Sequence, residues 1–350
     1  MTRFAPRWSL SCVTSLAADA SGARILAATG DGVLHEMAVD GGAMTKLLSA
    51  PAPTGTRVAT HPTDPDTLAT CGTDGALRLW SLSRHRQTAA PASLGLGKAV
   101  SLAWEQGGVL IAVGCLTDVG TAALGVYAFD PQALALAGVC KPAPSPPSKS
   151  AVTAVNFGAG AAVLAAGCAD GLVAIYRADG NGGFALKAVC ERHSAPVVAL
   201  DVSANGKAVR SACTARELVV SATADGAVVA PPKAGPLLAD TTAAWTTASV
   251  PFGWSVKGAW GALGGGLGVV CCALGGGGDR RWLVAARADG SLDVYRWPAV
   301  EATARAARVA SKVVGGPPTS VGVSAGGRFV VAAAADGAVS VHRVVWAGEE

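Results

Sequence analysis

Seven times along the chain an apolar run reaches a tight turn, and a second alternating run leaves it. The clearest copies are TLATCGTDGALRLW (67–80), VLAAGCADGLVAIY (163–176), WLVAARADGSLDVY (282–295) and VVAAAADGAVSVH (330–342). Five of the turns carry an Asp-Gly step: Asp31-Gly32, Asp74-Gly75, Asp170-Gly171, Asp289-Gly290 and Asp336-Gly337. Asp-Gly tolerates the positive φ that a two-residue hairpin turn demands, so each copy reads as two antiparallel strands. A chain made of repeated hairpins has few ways to bury both faces of every strand, and that restricts the fold more than any other feature.

Aligned on the turn, the copies fall at Gly32, Gly75, Leu124, Gly171, Arg216, Gly290 and Gly337, with intervals of 43, 49, 47, 45, 74 and 47 residues. A period in the forties with strand signals is the spacing of one four-stranded propeller blade per repeat. The long interval reads as one blade with an insertion, because its extra residues include a glycine-rich stretch, 261–281. The expectation is all-β: a single seven-bladed β-propeller spanning residues 1–350, with the insertion in blade six. An earlier strand precedes most hairpins, as in AVSLAWE (99–105), AVTAVNFG (151–158) and VVALDVS (197–203).

Five residues after each alignment point stand Met37, Trp80, Phe129, Tyr176, Ser221, Tyr295 and His342. WD repeats carry their tryptophan in this slot, and a bulky side chain there packs between neighbouring blades. Only Trp80 is a tryptophan, followed by Ser81 rather than aspartate, so the repeats are degenerate. His193 stands where WD repeats often carry the histidine of a Gly-His pair. A structural hydrogen bond to a turn side chain is its favoured role, ahead of metal binding or catalysis. The last copy leaves blade seven without an outer strand, and TRFAPRWSLS at the N-terminus has no blade of its own. That segment is expected to supply the missing strand and cover the exposed edges.

Composition narrows the function. The chain is 51% hydrophobic and only 15% charged, which suits a large buried core. No run reaches the roughly 18 uninterrupted apolar residues of a membrane-spanning helix, and no apolar signal core opens the chain. The nine cysteines form no Cys-x-x-Cys pair and are odd in number, so neither a zinc site nor a disulfide framework is expected. Most lie in strands as small hydrophobes, which fits a reducing compartment. A net charge of +4 without interleaved arginines and aromatics is no nucleic-acid signature. Local basic groups, among them Arg84–Arg86, Arg280 with Arg281, and Arg305 with Arg308, read first as solvated loops; gathered on one face they meet an acidic protein surface.

Three connections stand out. KPAPSPPSKS (141–150) reads as a stiff exposed proline-rich loop. The stretch 261–281 lacks GxxxxGK[ST] and reads as a glycine-rich surface loop rather than a phosphate cradle. Residues 299–312 have helix-forming composition where an outer strand belongs, with the strand favoured. No GxSxG, HExxH or paired-carboxylate arrangement occurs, so no catalytic residue, cofactor or metal ligand is assigned.

One block is more distinctive. AAWTTASVPFGWSVKGAW (243–260) resembles the insertion-bearing blade in the second propeller of the echinoderm microtubule-associated-protein-like (EMAP-like) family, where Trp-Ala-Thr precedes a Gly-Phe-x-Val-x-Gly-x-Trp block. Trp245 and Thr247 match its start; Gly253, Val256, Gly258 and Trp260 match the later block, with Trp254 in place of the phenylalanine. The flanks HSAPVVALDVSANGKAVRSA and WLVAARADGSLDVYRWP keep the same order. Family members usually carry two fused propellers, a hydrophobic motif in the first and often a coiled coil; this chain resembles the second ring alone. By itself the block reads as structural, Trp245 and Trp260 anchoring it, with Trp254, Arg280 and Arg281 as candidate partner contacts. The resemblance implies a non-enzymatic, cytoplasmic, cytoskeletal propeller that binds tubulin or microtubule-associated proteins, with a ciliary axoneme as one setting. The alternative is a general WD-repeat scaffold or substrate receptor in a multiprotein complex.

Overall fold

The computed structural model describes residues 7–9, 13–19, 21, 23–29, 33–38, 44–49, 57–81, 83–84, 86–133, 135–139, 144–215, 217–228, 245–247, 249–250, 269–275, 282–297, 305–310, 318–323, 329–334 and 338–343. They form seven antiparallel sheets, built from strands adjacent in sequence except that the first strand of the chain joins the last sheet. The first holds Val13–Ala18, Arg24–Thr29, Val33–Ala38 and Met44–Ser49, and the second Arg57–Thr60, Thr67–Cys71 and Ala76–Ser81, with the short Arg86–Gln87 and Ala92–Ser93 both against Ala76–Ser81. The third comprises Lys98–Trp104, Leu110–Leu116, Ala122–Asp130 and Ala135–Val139; the fourth Val152–Phe157, Val163–Cys168, Leu172–Ala178 and Phe184–Glu191. The fifth has Val197–Val202, Ala208–Cys213 and Leu218–Ala222, and the sixth Val269–Gly275, Trp282–Arg287, Leu292–Arg296 and Arg305–Ala310. Pro318–Val323, Phe329–Ala334 and Ala338–Arg343 make the seventh, and Arg7–Ser9 completes it by pairing Arg7 with Ser340 and Ser9 with Ala338. The N-terminal segment thus occupies the outer position expected of it. Residues 305–310 are strand, as their position rather than their composition suggested.

The chain groups into two compact units, one of Met1–Val58 with Pro251–Glu350 and one of Ala59–Val250. Within Ala59–Val250 the core is a series of layers between consecutive sheets. Leu77, Leu79, Ile111, Val113, Tyr127 and Phe129 join the second and third sheets. Val126, Val152, Phe157, Leu164 and Tyr176 join the third and fourth, and Val163, Ile175, Val197, Leu200 and Val209 the fourth and fifth. In the other unit Trp282, Val284, Val294, Val330 and Ala332 join the sixth and seventh. Strands sandwiched on both faces need apolar side chains in both phases, which is why LIAVGCL and VLAAGC read as continuous apolar runs. The slot five residues past each alignment point is buried at Met37, Trp80, Phe129, Tyr176, Ser221 and Tyr295, while His342 is half-buried. In the third copy the turn itself lies at 117–121, and Leu124 is inside the strand Ala122–Asp130, paired with Gly114. Trp80 also donates from Nε1 to Thr70 Oγ1 at 2.9 Å.

A second repeat is invisible in composition. In six of the seven sheets the register slips near the start of the first strand, between Val13 and Ser15, Ala99 and Ser101, Val152 and Ala154, Val197 and Ala199, Val269 and Cys271, and Pro318 and Ser320. One extra residue there twists the strand and steps out of the in–out alternation. This accounts for Val198 and Val270, which are exposed although they lie in apolar runs.

The turns differ from the two-residue form expected. Gly75, Gly171 and Gly290 donate from backbone N to the carbonyls of Gly72, Cys168 and Arg287, three residues back. Each glycine is left-handed, at φ +67°, +91° and +82°, whereas the preceding aspartates are not. The unit is therefore a β-turn followed by a left-handed glycine, a longer loop than the primed two-residue turn. Aspartate acts through its side chain: Oδ1 of Asp74, Asp170 and Asp289 accepts from the backbone N of Ala76, Leu172 and Ser291. Asp31, Gly32, Asp336 and Gly337 lie outside the described residues. At Gly171 a side chain would also run into the His193 carbonyl, so the turn is locked against the following sheet.

Two loop readings change. Val269–Gly275, inside the glycine-rich stretch, is the first strand of the sixth sheet and pairs with Trp282–Arg287. Its VVCCAL core has the β-branched and small apolar residues of a buried strand, and glycine composition on either side obscured it. In the proline-rich connection, Pro146 and Ser148 are buried. Ser148 Oγ donates to Asp170 Oδ2 at 2.7 Å, so this half is tied to the fourth sheet rather than free. No described helix is long and apolar enough to cross a membrane.

Candidate functional site

The first strand of the fifth sheet, VVALDV, places a carboxylate in an otherwise apolar run. Asp201 lies directly across from Arg210 on the neighbouring strand, and both are buried, at 0% and 1% exposure. Arg210 Nε donates to Asp201 Oδ2 at 2.9 Å. Two charges withdrawn from water need further partners, and these come from the opening of the tryptophan block. Asp201 Oδ1 accepts from Thr247 Oγ1, from Ser249 N and from Ser249 Oγ; Oδ2 also accepts from Val250 N at 3.2 Å. One carboxylate thus gathers five donors.

Residues 245–247 and 249–250 are laid as a strap over the first strands. Trp245 makes an isolated antiparallel bridge with Ser203, and its ring stacks 4.6 Å from Arg210 Cζ. Thr246 N donates to the Val202 carbonyl at 2.9 Å and its Oγ1 reaches the Phe157 carbonyl at 3.3 Å. Asn156 Nδ2, from the fourth sheet, donates to Thr247 Oγ1 at 2.6 Å. Gln106 Nε2, after the first strand of the third sheet, donates to the Thr246 carbonyl at 3.3 Å. The Thr247 hydroxyl accepts from one sheet and donates to the next, a role that valine cannot fill. The strap therefore joins the third, fourth and fifth sheets, and Trp245 and Thr247 are structural anchors within it.

Of the other residues read from sequence, Gly253, Trp254, Val256, Gly258, Trp260, Arg280 and Arg281 lie outside the described residues. Arg84 is exposed on the loop after Ala76–Ser81, and Arg86 is exposed at the start of the short strand Arg86–Gln87. Asp201, Arg210 and Ser249 were missed. The signal was present: a charge of each sign in the buried phase of two adjacent strands is a cross-strand pair.

A second cluster forms around His193. Its Nε2 lies 2.7 Å from Ser211 Oγ, so its partner is a strand hydroxyl rather than the turn side chain expected. The turn residue Glu217 stands 3.6 Å from Nδ1 and accepts Ser194 N and Ser194 Oγ, each at 2.7 Å. Cys213 Sγ donates to Glu217 Oε2 at 3.2 Å. The Ser194 hydroxyl and backbone N–H, then Cys213, hold the Glu217 carboxyl down at about 2. Burial pushes the His193 pKa below its ordinary 6.5, against the pull of Glu217. Elsewhere, burial pushes thiols up, Cys115 to about 12 and Cys168 to about 11, as for inert packing groups.

These shifts have a sign. Both groups release protons on folding, so both add stability at neutral pH and lose it on acidification. The His193 contribution fades as pH falls below 6.5, and that of Glu217 between 4.5 and about 2. In pH-resolved urea melts, the stability gap between wild type and Glu217→Gln is expected to hold above 4.5 and to close toward 2. A gap independent of pH over that range would remove the carboxylate from this role.

None of the curated proteins matches the chain in sequence. Among solved structures, the computationally designed Ika8 protein is similar at a TM-score of 0.64 and 17% identity, over 96% of this chain and 98% of that one. That likeness speaks to the fold alone. The family model for the echinoderm microtubule-associated protein second β-propeller matches residues 57–344, a span that includes the strap, both buried clusters and six of the seven hairpins. With hairpins at this period, antiparallel sheets packed face to face and the tryptophan block anchored on Asp201, the chain belongs to the echinoderm microtubule-associated protein second β-propeller family.

Proposed function

We propose that this protein is a non-enzymatic docking propeller, one seven-bladed ring over its whole length, that binds tubulin or proteins carried on the microtubule lattice. The family match over residues 57–344 carries the reading. The strap adds physical support. Five donors on one buried carboxylate hold the start of the tryptophan block against three sheets, giving those sheets the rigidity on which docking loops depend. Binding is by surface docking: loop hydrogen-bonding groups and exposed cations such as Arg84 and Arg86 face an acidic partner. Trp254, Arg280 and Arg281 are the contacts proposed from the sequence, and the axoneme is a proposed setting.

Co-pelleting of the full chain with stabilised microtubules tests this directly. Binding is expected at low ionic strength and should weaken as salt is raised toward about 0.15 M, where charges are screened beyond roughly 8 Å. Trp254→Ala should reduce it without loss of folding. No pelleting at any ionic strength, with a different multiprotein complex recovered on affinity purification, would favour the general scaffold reading instead.

A further inference from the structure

We infer that His193, Cys213 and Glu217 form a binding site for a single zinc-class divalent cation. His193 precedes the first strand of the fifth sheet; Cys213 and Glu217 flank the hairpin turn between its second and third strands. A ring nitrogen of His193, Cys213 Sγ and a Glu217 carboxylate oxygen all lie within 4.8 Å of one another. No other group of three such side chains is found among the described residues.

The geometry suits a tetrahedral ion. Bonds of about 2.0–2.3 Å to nitrogen, oxygen and sulfur place ligand atoms roughly 3.3–3.7 Å apart. Nδ1 and Glu217 Oε2 are 3.6 Å apart, and Cys213 Sγ and Oε2 are 3.2 Å apart. At 3.6 Å the histidine and glutamate are too far apart for a hydrogen bond yet stand at the edge length of a coordination tetrahedron.

A separate observation points to a ligand. The His193 side chain is fully buried, and its Nδ1 has no hydrogen-bond partner. Nε2 is engaged by Ser211 Oγ; with the ring proton on Nε2, Nδ1 keeps a free lone pair, 3.6 Å from Glu217 Oε2. The supporting shell is in place, because Ser211 orients the imidazole while Ser194 N and Oγ orient the carboxylate. One sulfur, one nitrogen and one oxygen donor form a mixed set that suits zinc better than magnesium or calcium. Glu217 is partly exposed, with 38% of its side-chain surface open, so solvent water supplies the fourth position. Binding converts the Cys213 thiol to a metal thiolate, and its proton passes to solvent.

The test uses the full chain, stripped with chelator and titrated with cobalt(II) as a spectroscopic stand-in for zinc. One equivalent should produce a thiolate-to-cobalt charge-transfer band with intense tetrahedral d–d absorption, releasing one proton, and zinc should displace it. Cys213→Ser should abolish the band, whereas Cys272→Ser should leave it. Glu217→Gln, on a partly exposed turn, loses some stability but stays folded at neutral pH, and should weaken binding at least about tenfold. The proposal fails if wild type gives no thiolate band, if the band survives Cys213→Ser, or if Glu217→Gln binds cobalt as tightly as wild type.

Discussion

Replacing Asp201 with alanine is expected to lower the free energy of unfolding by about 3–5 kcal/mol, because removing one partner of a buried ion pair leaves the other charge uncompensated. The loss falls on several groups at once. Arg210 is 1% exposed and loses the acceptor of its Nε, while Thr247, Ser249 and Val250 lose the acceptor that fastens the strap. Urea denaturation measures the total, and limited proteolysis near 245–250 reports where it lands. Thr247→Val provides the graded companion. It deletes a hydroxyl bonded to Asn156 and Asp201 without creating a buried charge, and should cost about 1–2 kcal/mol, in the range of one or two hydrogen bonds. If Asp201→Ala changed stability by less than Thr247→Val, the carboxylate would not be the centre of the clamp.

Tyr176→Ala should be about equally damaging, at roughly 3–5 kcal/mol, but for a different reason: it opens a cavity in a layer that cannot collapse to fill it. Tyr176 is 0% exposed and packs among Val126, Val152, Phe157 and Leu164, between the third and fourth sheets. The contrast with Tyr176→Phe separates packing from polarity. The Tyr176 hydroxyl has no hydrogen-bond partner, and burial pushes its pKa up, so it stays protonated and unsatisfied at neutral pH. Deleting only that oxygen should be neutral or stabilising, within about 1 kcal/mol, because no bond is lost and a desolvated polar group disappears. A large loss in Tyr176→Phe would reveal a partner for the hydroxyl and overturn the packing account.

Much of the fold was legible in the order of residues. The hairpin period located the strand pairs, and the N-terminal segment could be matched to the last sheet by noticing which edge lacked a strand. Composition misled where it was averaged over a window. Glycines on either side disguised Val269–Gly275, whereas at 299–312 the place in the repeat outweighed a helix-forming composition, and Arg305–Ala310 is the outer strand favoured there. Turn chemistry was right in residue type and wrong in detail. Asp-Gly also suits a longer loop in which only the glycine is left-handed and the aspartate acts through its carboxylate. The candidate site was half visible: Trp245 was read as an anchor and Thr247 as part of the same block, but not what either fastens to, and Trp260, the second anchor expected, lies outside the described residues.

By itself the sequence determined the hairpins, their order and the slots for large side chains, because these depend on periodicity and turn residues within a few positions of each other. Tertiary structure decided which polar groups meet. Thr247 and Asn156 are 91 residues apart, Gln106 and Thr246 140 apart, and His193 reaches Ser211 only because neighbouring strands bring them together. Such contacts are set by register and by the stacking of one sheet on the next. A bulge of one residue near the start of a first strand shifts which side chains face the neighbour, and no local pattern in the chain announces it.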